Sequence, residues 1–307
     1  NAQLYAAASR SLEKARAFAC EHGFEKAYGT YEALAADPKV DIIYLATPHS
    51  LHHEQVLLCA SQGKAILVEK AFTLSASLAE VMITTAHRKK VFLMEAFWTR
   101  FQPSFLKAME ILQSGELGKA WMLRSEFCFY APYNPESRLF SPALGGGALL
   151  DIGVYPVFWA MQVFGRPSYI QATADLAPTG VDQSLAVTLK YPGGEMAQLT
   201  ASFKACSDTL TEILCEKGFI RILKIDPWTV NLVKSIKDGP KEETIFHSDQ
   251  GFGLFLEAEH VMECLDAGLL ESPMLPHSYS LDVMKVLDEI RKQTGISFYP
   301  SEPLAHT

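Results

Sequence analysis

Two pairs of polar side chains in apolar surroundings are the first candidates for chemistry in this sequence. Glu69 and Lys70 follow directly after the apolar run 66–68, which is typical of a strand buried on both faces of a parallel sheet. Both charges are therefore expected at the carboxyl end of a strand, the edge at which ligands bind in open α/β sheets. Lys70 is thus a candidate catalytic residue, and a solvated Glu–Lys pair is the alternative.

The second pair is Asp151 and Tyr155, in the segment 145–155 with the sequence GGGALLDIGVY. Residues four apart lie on the same face of a helix, so the two side chains are expected one turn apart. A tyrosine can act as an acid or base when a nearby cation lowers its pKa, and Lys70 would be such a cation. The spacing alone does not bring residue 70 to residue 155, so a core tyrosine with a satisfied hydroxyl is the alternative.

Alternating strands and helices must position the first pair. Ser9 is the predicted N-cap of the first helix, which is expected to end at Gly23. The alternation is the signature of parallel βαβ units, so residues 1–97 are predicted to form half or more of a doubly wound α/β domain. The predicted strands or extended pieces are residues 3–8, 26–28, 41–46, 64–70 and 91–97.

Residues 98–307 follow a different pattern and are predicted to form a second, α+β domain. Several consecutive strands are separated by turn signals such as Pro192-Gly193-Gly194, which favours a large antiparallel sheet. The predicted helices are 103–115, 148–165, 255–268 and 280–295. The predicted strands are 121–130, 169–176, 184–191, 196–203, 211–223, 229–236 and 242–247.

The segment ATPHSLHHE, residues 46–54, ends the strand 41–46 and opens a helix whose free N–H groups could face a ligand. It contains His49, His52 and His53, but no HExxH pattern accompanies them, so no metal site is predicted. The chain has no GxGxxG turn, and its triple glycine is not fed by a strand. A pyrophosphate-binding turn is therefore not visible in the sequence.

The composition disfavours a nucleic-acid-binding protein and a membrane protein. The 307 residues carry 27 Lys plus Arg against 35 Asp plus Glu, a net charge of −8, and show no long basic stretch, which disfavours nucleic-acid binding. No apolar run reaches the roughly 18 residues of a membrane span, and the six scattered cysteines are typical of a reducing compartment. A cytoplasmic protein with no membrane partner is expected.

Four ordered motifs resemble those of the glucose-fructose oxidoreductase / inositol dehydrogenase / MocA (Gfo/Idh/MocA) family. They are TPHSLHHE, VEKA, WTRFQP and GGGALLDIGVY, and the resemblance runs from Gln3 to about Tyr299. Within the family, the sequence looks most like the dihydrodiol dehydrogenases and the NADP-dependent D-xylose dehydrogenases. The resemblance implies an N-terminal Rossmann domain that binds NAD or NADP. It also implies a C-terminal domain with a mostly antiparallel sheet that contacts substrate and forms a homodimer.

The resemblance also assigns roles to single residues. Tyr155 is implied as the catalytic acid/base, with Lys70 and Asp151 as its catalytic neighbours. Arg100 matches an arginine that is common in the family after the strand predicted here at 91–97. The other implied cofactor-binding residues are Thr47, Pro48, His49, His52 and Glu69, with Lys70 again among them.

Three departures from the family pattern stand out. The family's first strand and glycine-rich turn are expected roughly 30 residues before Asn1 and are absent from the sequence. Ala71 replaces the proline of the EKP motif, which removes a fixed φ from that turn. His49 replaces an asparagine, exchanging an amide for a titratable ring.

The end of the strand predicted at residues 3–8, which corresponds to the family's second strand, indicates the cofactor. Enzymes selective for NAD place an acidic residue at this strand end to bind the ribose 2′-hydroxyl, whereas an arginine suits a 2′-phosphate. Here the residues are Ser9 and Arg10, so NADP is preferred, with NAD as the alternative. A plain surface role for Arg10 is also open.

These observations predict an NADP-dependent oxidoreductase that moves a hydride between the nicotinamide and a secondary alcohol of a sugar or cyclic diol. Tyr155 would exchange the hydroxyl proton, and Lys70 would hold the hydroxyl and lower the tyrosine pKa. The alternatives are an inactive family member that binds dinucleotide or sugar as a sensor, and a shortened structural partner. The expected pocket walls are Trp98, Phe129, Trp228 and Phe252.

Overall fold

The computed structural model describes residues 2–224, 230–236, 243–248 and 253–298. Its N-terminal part contains five short parallel strands that alternate with helices, as the sequence predicts. The strands are β1 (Ala6–Ala8), β2 (Lys26–Tyr28), β3 (Ile42–Leu45), β4 (Ala65–Glu69) and β5 (Leu93–Ala96). The helices are α1 (Leu12–His22), α2 (Tyr31–Ala36), α3 (His49–Ser61) and α4 (Ala76–Lys89).

The strands form two sheets, β1–β2 and β3–β4–β5. The doubly wound order 3-2-1-4-5-6 places one strand between two such groups. Among the described residues no strand lies between β1 and β3. The sheet β1–β2 therefore corresponds to strands 2 and 3 of that order, and the sheet β3–β4–β5 corresponds to strands 4, 5 and 6. The carboxyl ends of β3 and β4 point toward the same edge, because the two strands are parallel and in register from Ile42 with Ala65 onward.

Helix caps explain where two of these helices begin. The predicted cap Ser9 is wrong, because Ser11 holds that position and its hydroxyl accepts a hydrogen bond of 3.3 Å from the N–H of Lys14. Helix α1 ends at Gly23 with φ of 75°, as predicted. Helix α4 begins after Ser75, whose hydroxyl accepts from the N–H of Leu78.

In the described residues of the C-terminal part, eight strands form a mixed sheet in the order β13-β12-β11-β10-β6-β9-β8-β7. All neighbours are antiparallel except β6 and β9, which confirms a mostly antiparallel sheet. Its strands are β6 (Ala120–Cys128), β7 (Tyr169–Leu176), β8 (Asp182–Lys190), β9 (Met196–Ser202), β10 (Leu210–Cys215), β11 (Gly218–Lys224), β12 (Val230–Ile236) and β13 (Glu243–Ser248).

The strand predicted at 211–223 is wrong as a single element. Glu216 and Lys217 form a turn between β10 and β11, and their backbone N–H groups donate to the carbonyl oxygens of Lys119 and Leu117. The charged pair and the following Gly218 interrupt the apolar pattern, a turn signal that the prediction of one strand leaves out.

Four longer helices accompany the sheet: α5 (Pro103–Ser114), α6 (Val154–Phe164), α7 (Phe255–Asp266) and α8 (His277–Thr294). The prediction of one regular helix at 148–165 is wrong in its first part, because Leu149–Gly153 forms a π-helical turn before α6. Such turns widen the helix and are frequent at functional sites. Helix α8 begins three residues earlier than predicted, at His277.

Helix α6 is apolar on all sides, as a core helix is. The stretch Pro142–Phe164 is long and apolar enough to cross a membrane by length and composition alone, but 78% of its most apolar window is buried inside the protein. The ring of Phe158 on α6 stacks on Phe97 at the end of β5, with centroids 4.1 Å apart. This contact joins the two parts of the chain next to Tyr155.

Candidate active site

Lys70 lies at the carboxyl end of β4, directly after its last residue, with a side chain that is 12% exposed. Its Nζ donates a hydrogen bond of 2.6 Å to the backbone carbonyl of Asp151 and lies 3.6 Å from the Asp151 carboxylate. Burial alone would lower the pKa of Lys70, but the charges at Tyr155, Asp151 and Glu69 raise it overall. The structure thus brings together the two pairs that the sequence leaves apart, and Lys70 carries a positive charge.

Asp151 lies in the π-helical turn and is buried. Its carboxylate also accepts a hydrogen bond of 2.7 Å from Arg138, a residue in the loop before the triple glycine. Burial would raise the pKa of Asp151, but the charge of Lys70 and the bond from Arg138 hold it below its usual value. Two cations therefore compensate one buried carboxylate, and Arg138 is a member of the cluster that the sequence did not indicate.

Tyr155 lies in the first turn of α6 and faces the same cluster. Its ring centroid is 4.9 Å from Lys70 Nζ, and its hydroxyl accepts a hydrogen bond of 2.8 Å from the indole N–H of Trp98. Burial raises the pKa of Tyr155, and the opposing effects of Lys70 and Trp98 are smaller. Lys70 lowers the pKa of Tyr155, as expected. The expected net decrease is wrong, because burial raises this pKa by more than Lys70 lowers it.

Two of the three histidines of the TPHSLHHE segment contact the backbone around Lys70. His49 Nε2 lies 3.2 Å from the carbonyl oxygen of Lys70 and its Nδ1 lies 2.9 Å from that of Gly145. His52 Nδ1 lies 3.1 Å from the carbonyl oxygen of Ala71. The peptide between Lys70 and Ala71 is cis. The buried rings of His49 and His52 thus lie against the backbone carbonyls on both sides of this peptide.

Both rings are neutral. Burial, reinforced by the charge of Lys70, lowers the pKa of His49 to about 3, and burial lowers that of His52. A neutral imidazole has one N–H, so each ring donates to one carbonyl at a time. His53 is only partly buried on the same helix. His49 and His52 therefore act as hydrogen-bonding groups.

The triple glycine 145–147 allows close packing at two points. A Cβ on Gly145 would lie 2.6 Å from the Leu74 side chain and 3.0 Å from His49 Cβ, so only glycine lets this loop approach α3. A Cβ on Gly147 would lie 2.3 Å from Asp182 Oδ1. The motif thus positions the turn that carries Asp151.

A cavity of about 400 Å³ opens beside these residues. Lys70, Asp151 and Tyr155 all line it, together with aromatic rings and several polar side chains. The expected wall residues Trp98 and Phe129 are among its lining, whereas Trp228 and Phe252 fall outside the described part of the chain. Its further lining includes Gln102, Glu126, Phe127, Trp159 and Thr211. A second cavity of about 540 Å³, between α5 and the β8–β9 turn, is lined by none of the predicted site residues.

Two buried acidic groups lie near Glu69 and were not indicated by the sequence. Burial raises the pKa of Glu95, on β5, to about 7. Burial, together with the charges of Glu69 and Glu95, raises the pKa of Glu257, on α7, to about 9. Glu257 is therefore protonated at neutral pH. In the sequence, the only sign of either residue is an acidic side chain within an otherwise apolar pattern.

The remaining predicted cofactor residues lie in three places. Thr47 and Pro48 follow β3 and Glu69 is the last residue of β4, so all three lie at the carboxyl edge, where Tyr44 donates a hydrogen bond to Glu69. Ser9 and the exposed Arg10 follow β1. Arg100 lies elsewhere: its Nε donates to the carbonyl of Met274 at 2.8 Å and its guanidinium packs on Phe105. These are structural contacts, so a cofactor role for Arg100 stays a prediction.

The carboxyl edge of the parallel strands fits a dinucleotide. Helix α3 begins there after Pro48 without a side-chain cap, and the buried hydroxyls of Ser50 and Thr73 have no hydrogen-bond partner. Unpaired buried donors are costly unless a bound molecule satisfies them. The residues present thus suit a polar ligand at this edge.

Comparison with known proteins identifies the family. Residues 1–97 match the oxidoreductase family with an NAD-binding Rossmann fold, and residues 105–221 match the GFO/IDH/MocA C-terminal domain. The chain belongs to the Gfo/Idh/MocA oxidoreductases, and its N-terminal part is an NAD(P)-binding Rossmann domain. The predicted family, fold class, oxidoreductase function and nicotinamide cofactor are confirmed.

Relatives in the family extend over nearly the whole chain. Trans-1,2-dihydrobenzene-1,2-diol dehydrogenase of Xenopus tropicalis is 39% identical over 303 residues, which cover 96% of this chain and 91% of the relative. The human enzyme of the same name is 37% identical over 304 residues, which cover 96% of this chain and 90% of that protein.

Solved structures share the fold at lower identity. Aldose-aldose oxidoreductase from Caulobacter crescentus, complexed with glycerol, has a TM-score of 0.85 and 23% identity, and the match covers 95% of this chain and 90% of that one. Levoglucosan dehydrogenase, in complex with NADH and levoglucosan, has a TM-score of 0.85 and 20% identity, with 95% and 88% covered.

Proposed function

We propose that the protein is an NADP-dependent dehydrogenase that oxidises a secondary alcohol of a sugar or cyclic (dihydro)diol and reduces the corresponding ketone. The observation that carries the proposal is the cluster of Lys70, Asp151 and Tyr155 on the wall of a cavity at the carboxyl edge of a Rossmann sheet. A charged lysine beside a tyrosine is an arrangement that moves a proton to or from an alcohol.

Each residue of the cluster has a separate task. The nicotinamide supplies the hydride acceptor or donor when it is bound. The Tyr155 hydroxyl exchanges the proton of the substrate hydroxyl as its C–H bond breaks. Lys70 hydrogen-bonds the substrate oxygen and stabilises negative charge on it or on the phenolate. Asp151 keeps Lys70 in place through its carbonyl and carboxylate.

The raised pKa of Tyr155 sets the pH behaviour of the two directions. At neutral pH the hydroxyl is protonated, which suits an acid that gives its proton to a ketone oxygen. Alcohol oxidation needs the phenolate or its partial formation, so it speeds up as the pH rises. Lys70 and the Trp98 hydrogen bond both make the phenolate easier to form.

The cavity supports a small ring-shaped substrate. A volume of about 400 Å³ with walls from Trp98, Phe127 and Phe129 accommodates one sugar or cyclic diol, and Gln102 and Thr211 are among the polar residues that line it. The dihydrodiol dehydrogenases among the relatives are consistent with a cyclic diol.

NADP is the preferred cofactor in this proposal. Arg10 directly follows Ser9 at the end of β1 and is exposed, so its guanidinium is available to a 2′-phosphate. No acidic residue occupies positions 9–11 to bind a ribose 2′-hydroxyl.

The test is a panel of aldoses and cyclic diols, including trans-dihydrobenzenediol and D-xylose, assayed with the full-length protein and NADP or NAD. Reduced nicotinamide is followed by its absorbance. Turnover of at least one sugar or diol with NADP supports the proposal. NADPH binding with no turnover of any member in either direction contradicts it and favours the alternative, a sensor that binds dinucleotide or sugar without chemistry.

Three further assignments remain proposals: a domain boundary between residues 97 and 98, a cytoplasmic location, and a homodimer formed through the C-terminal sheet. One face of that sheet carries a row of partly or fully exposed side chains across four strands, namely Arg124, Gln198, Thr188 and Gln171. A second copy would cover this face. Sedimentation equilibrium should give twice the mass of one chain, and a monomer at micromolar concentration contradicts the dimer.

A further inference from the structure

Three potential metal ligands from distant parts of the sequence meet on the surface away from the candidate active site. They are His87 near the end of α4, Glu271 in the loop after α7, and His277 at the start of α8, and one ligand atom from each lies within 4.8 Å of the others. His277 is buried, whereas His87 is exposed. The group therefore has both a fixed ligand and an open path for an ion.

The tautomer of His277 is defined by its surroundings. Its Nε2 lies 2.7 Å from the backbone carbonyl oxygen of Leu93, so this nitrogen carries the proton and donates it. Nδ1 then presents a lone pair to His87 and Glu271. Metal-binding histidines have this same arrangement, in which the outer N–H donates to a carbonyl and fixes the ring.

The distances suit a tetrahedral ion. His277 Nδ1 lies 3.2 Å from His87 Nε2 and 3.4 Å from a carboxylate oxygen of Glu271. Zinc with bonds of about 2.0–2.2 Å to nitrogen and oxygen gives ligand-to-ligand distances of about 3.3–3.5 Å in a tetrahedron. The backbone N–H of His277 also donates to Glu271 at 2.7 Å and orients its carboxylate.

The donor atoms of this group suit a cation. A neutral His87 can donate its Nε2–H to His277 Nδ1, and a bound metal ion would replace that hydrogen bond. The lone pair of Nδ1 and the Glu271 carboxylate oxygen are both acceptors, and their close approach is unfavourable unless a proton or metal ion lies near both. Two histidines and a glutamate with a water as fourth ligand form a donor set that binds Zn²⁺.

We propose that His87, Glu271 and His277 form a binding site for a divalent transition-metal ion, Zn²⁺ above all. The ion would join α4, in the Rossmann part, to the loop and helix α8 of the C-terminal part. Leu93 lies between them: its N–H donates to Leu270 and its carbonyl accepts from His277. The role of the site is to stabilise this junction, independently of the chemistry at Tyr155.

The test is a zinc titration of chelator-treated full-length protein in competition with a chromophoric zinc indicator, for the wild type and three variants. The wild type should bind one Zn²⁺ per chain and unfold at a higher temperature with Zn²⁺ present. His87→Ala and Glu271→Gln should each weaken binding by more than about 100-fold, since changing groups that only orient ligands already costs about 10- to 100-fold. His22→Ala, an exposed histidine at the end of α1, is the matched control and should bind as the wild type does.

Cobalt gives an independent measurement of the ligands. Co²⁺ in the wild type should show the visible bands of a tetrahedral site without a charge-transfer band from sulfur, and His87→Ala should lose them. Two results overturn the proposal: a wild type that binds no Zn²⁺ at micromolar concentration, or His87→Ala and Glu271→Gln variants that keep the wild-type affinity. In the first case the cluster holds a shared proton instead.

Discussion

The ammonium group of Lys70 lies 2.6 Å from the backbone carbonyl oxygen of Asp151, and the two residues are 81 positions apart in the chain. Lys70 ends a strand of the Rossmann sheet, and Asp151 lies in the π-helical turn that leads into α6. This contact brings the lysine to Tyr155, four residues further along. The proposed chemistry depends on this meeting of the two parts of the chain.

Arg10 should determine the preference for NADP. Replacing Arg10 with Asp removes the cation and places a carboxylate where a 2′-phosphate would bind. The ratio of kcat/KM for NADP to that for NAD should fall by about 10- to 100-fold or more, because hydrogen bonds to charged groups contribute about 1.5–3 kcal/mol. Steady-state kinetics with both cofactors measure this ratio.

The control is Arg16→Asp, an equally exposed arginine on α1. This variant has the same change of charge and should keep the wild-type ratio. A ratio that is unchanged in Arg10→Asp would mean that Arg10 is an ordinary surface cation.

Trp98 should tune the acid/base residue through its indole N–H. Trp98→Phe keeps an aromatic wall but removes the 2.8 Å hydrogen bond to the Tyr155 hydroxyl, which lowers the tyrosine pKa. The pKa should therefore rise, and the increase of alcohol oxidation with pH should move to higher pH. At neutral pH kcat/KM should fall by about tenfold or more.

A pH profile of kcat/KM measures this effect. Trp121→Phe is the control, because Trp121 is 40% exposed on β6 and donates to Glu216 instead. A profile for Trp98→Phe that overlays the wild type would show that the hydrogen bond does not act on the catalytic proton.

Asp151 should stabilise the fold through its ion pairs with Lys70 and Arg138. Asp151→Asn leaves the buried Lys70 without a carboxylate, so the free energy of unfolding at pH 7 should fall by about 3 kcal/mol. The folded-state pKa of Asp151 lies below its unfolded value of about 3.9, so this contribution is present above pH 4 and is lost as the pH falls further. The difference between wild type and variant should shrink in that range.

Urea unfolding across pH measures this difference. In the control Asp175→Asn, the exposed partner of Lys204 is changed, and the loss should be no more than about 1 kcal/mol. A difference between wild type and Asp151→Asn that is the same at pH 3 and pH 7 would contradict the account of Asp151.

Gly147 should tolerate no side chain. Gly147 has φ of 115°, and a Cβ there would lie 2.3 Å from the buried carboxylate of Asp182. Gly147→Ala should lower the free energy of unfolding by more than about 2 kcal/mol, through backbone strain plus displacement of Asp182. Gly180→Ala shares the positive φ but has open space, so it should lose only about 1 kcal/mol. Equal losses in urea unfolding would contradict the packing explanation.

The sequence predicts the fold well where periodicity and turn residues agree. The strand at Tyr169–Leu176 and the end of α1 at Gly23 follow such signals and are confirmed. The N-cap at Ser11 is missed because Ser9 also has a suitable side chain, and only the backbone conformation decides between them. The break between β10 and β11 is missed although Glu216-Lys217-Gly218 marks it, because the apolar residues on both sides favour one continuous strand.

The site is predictable only in part. The order of motifs points to Lys70, Asp151 and Tyr155, and the structure brings them together. The sequence does not reveal the hydrogen bond from Trp98, the second cation at Arg138 or the net rise of the Tyr155 pKa. These features depend on long-range packing and on burial, and neither follows from local spacing.

The central claim is that Tyr155 exchanges the substrate proton with the help of Lys70. The most direct measurement is kcat for Tyr155→Phe on an active sugar or diol with NADP, compared with the control Tyr130→Phe, whose ring is 64% exposed and outside the cavity lining. NADPH binding, measured by fluorescence, shows that each variant is folded. The account predicts that kcat falls by at least about 100-fold in Tyr155→Phe and stays at the wild-type value in Tyr130→Phe. A folded Tyr155→Phe enzyme that binds NADPH and turns over at nearly the wild-type rate would contradict it.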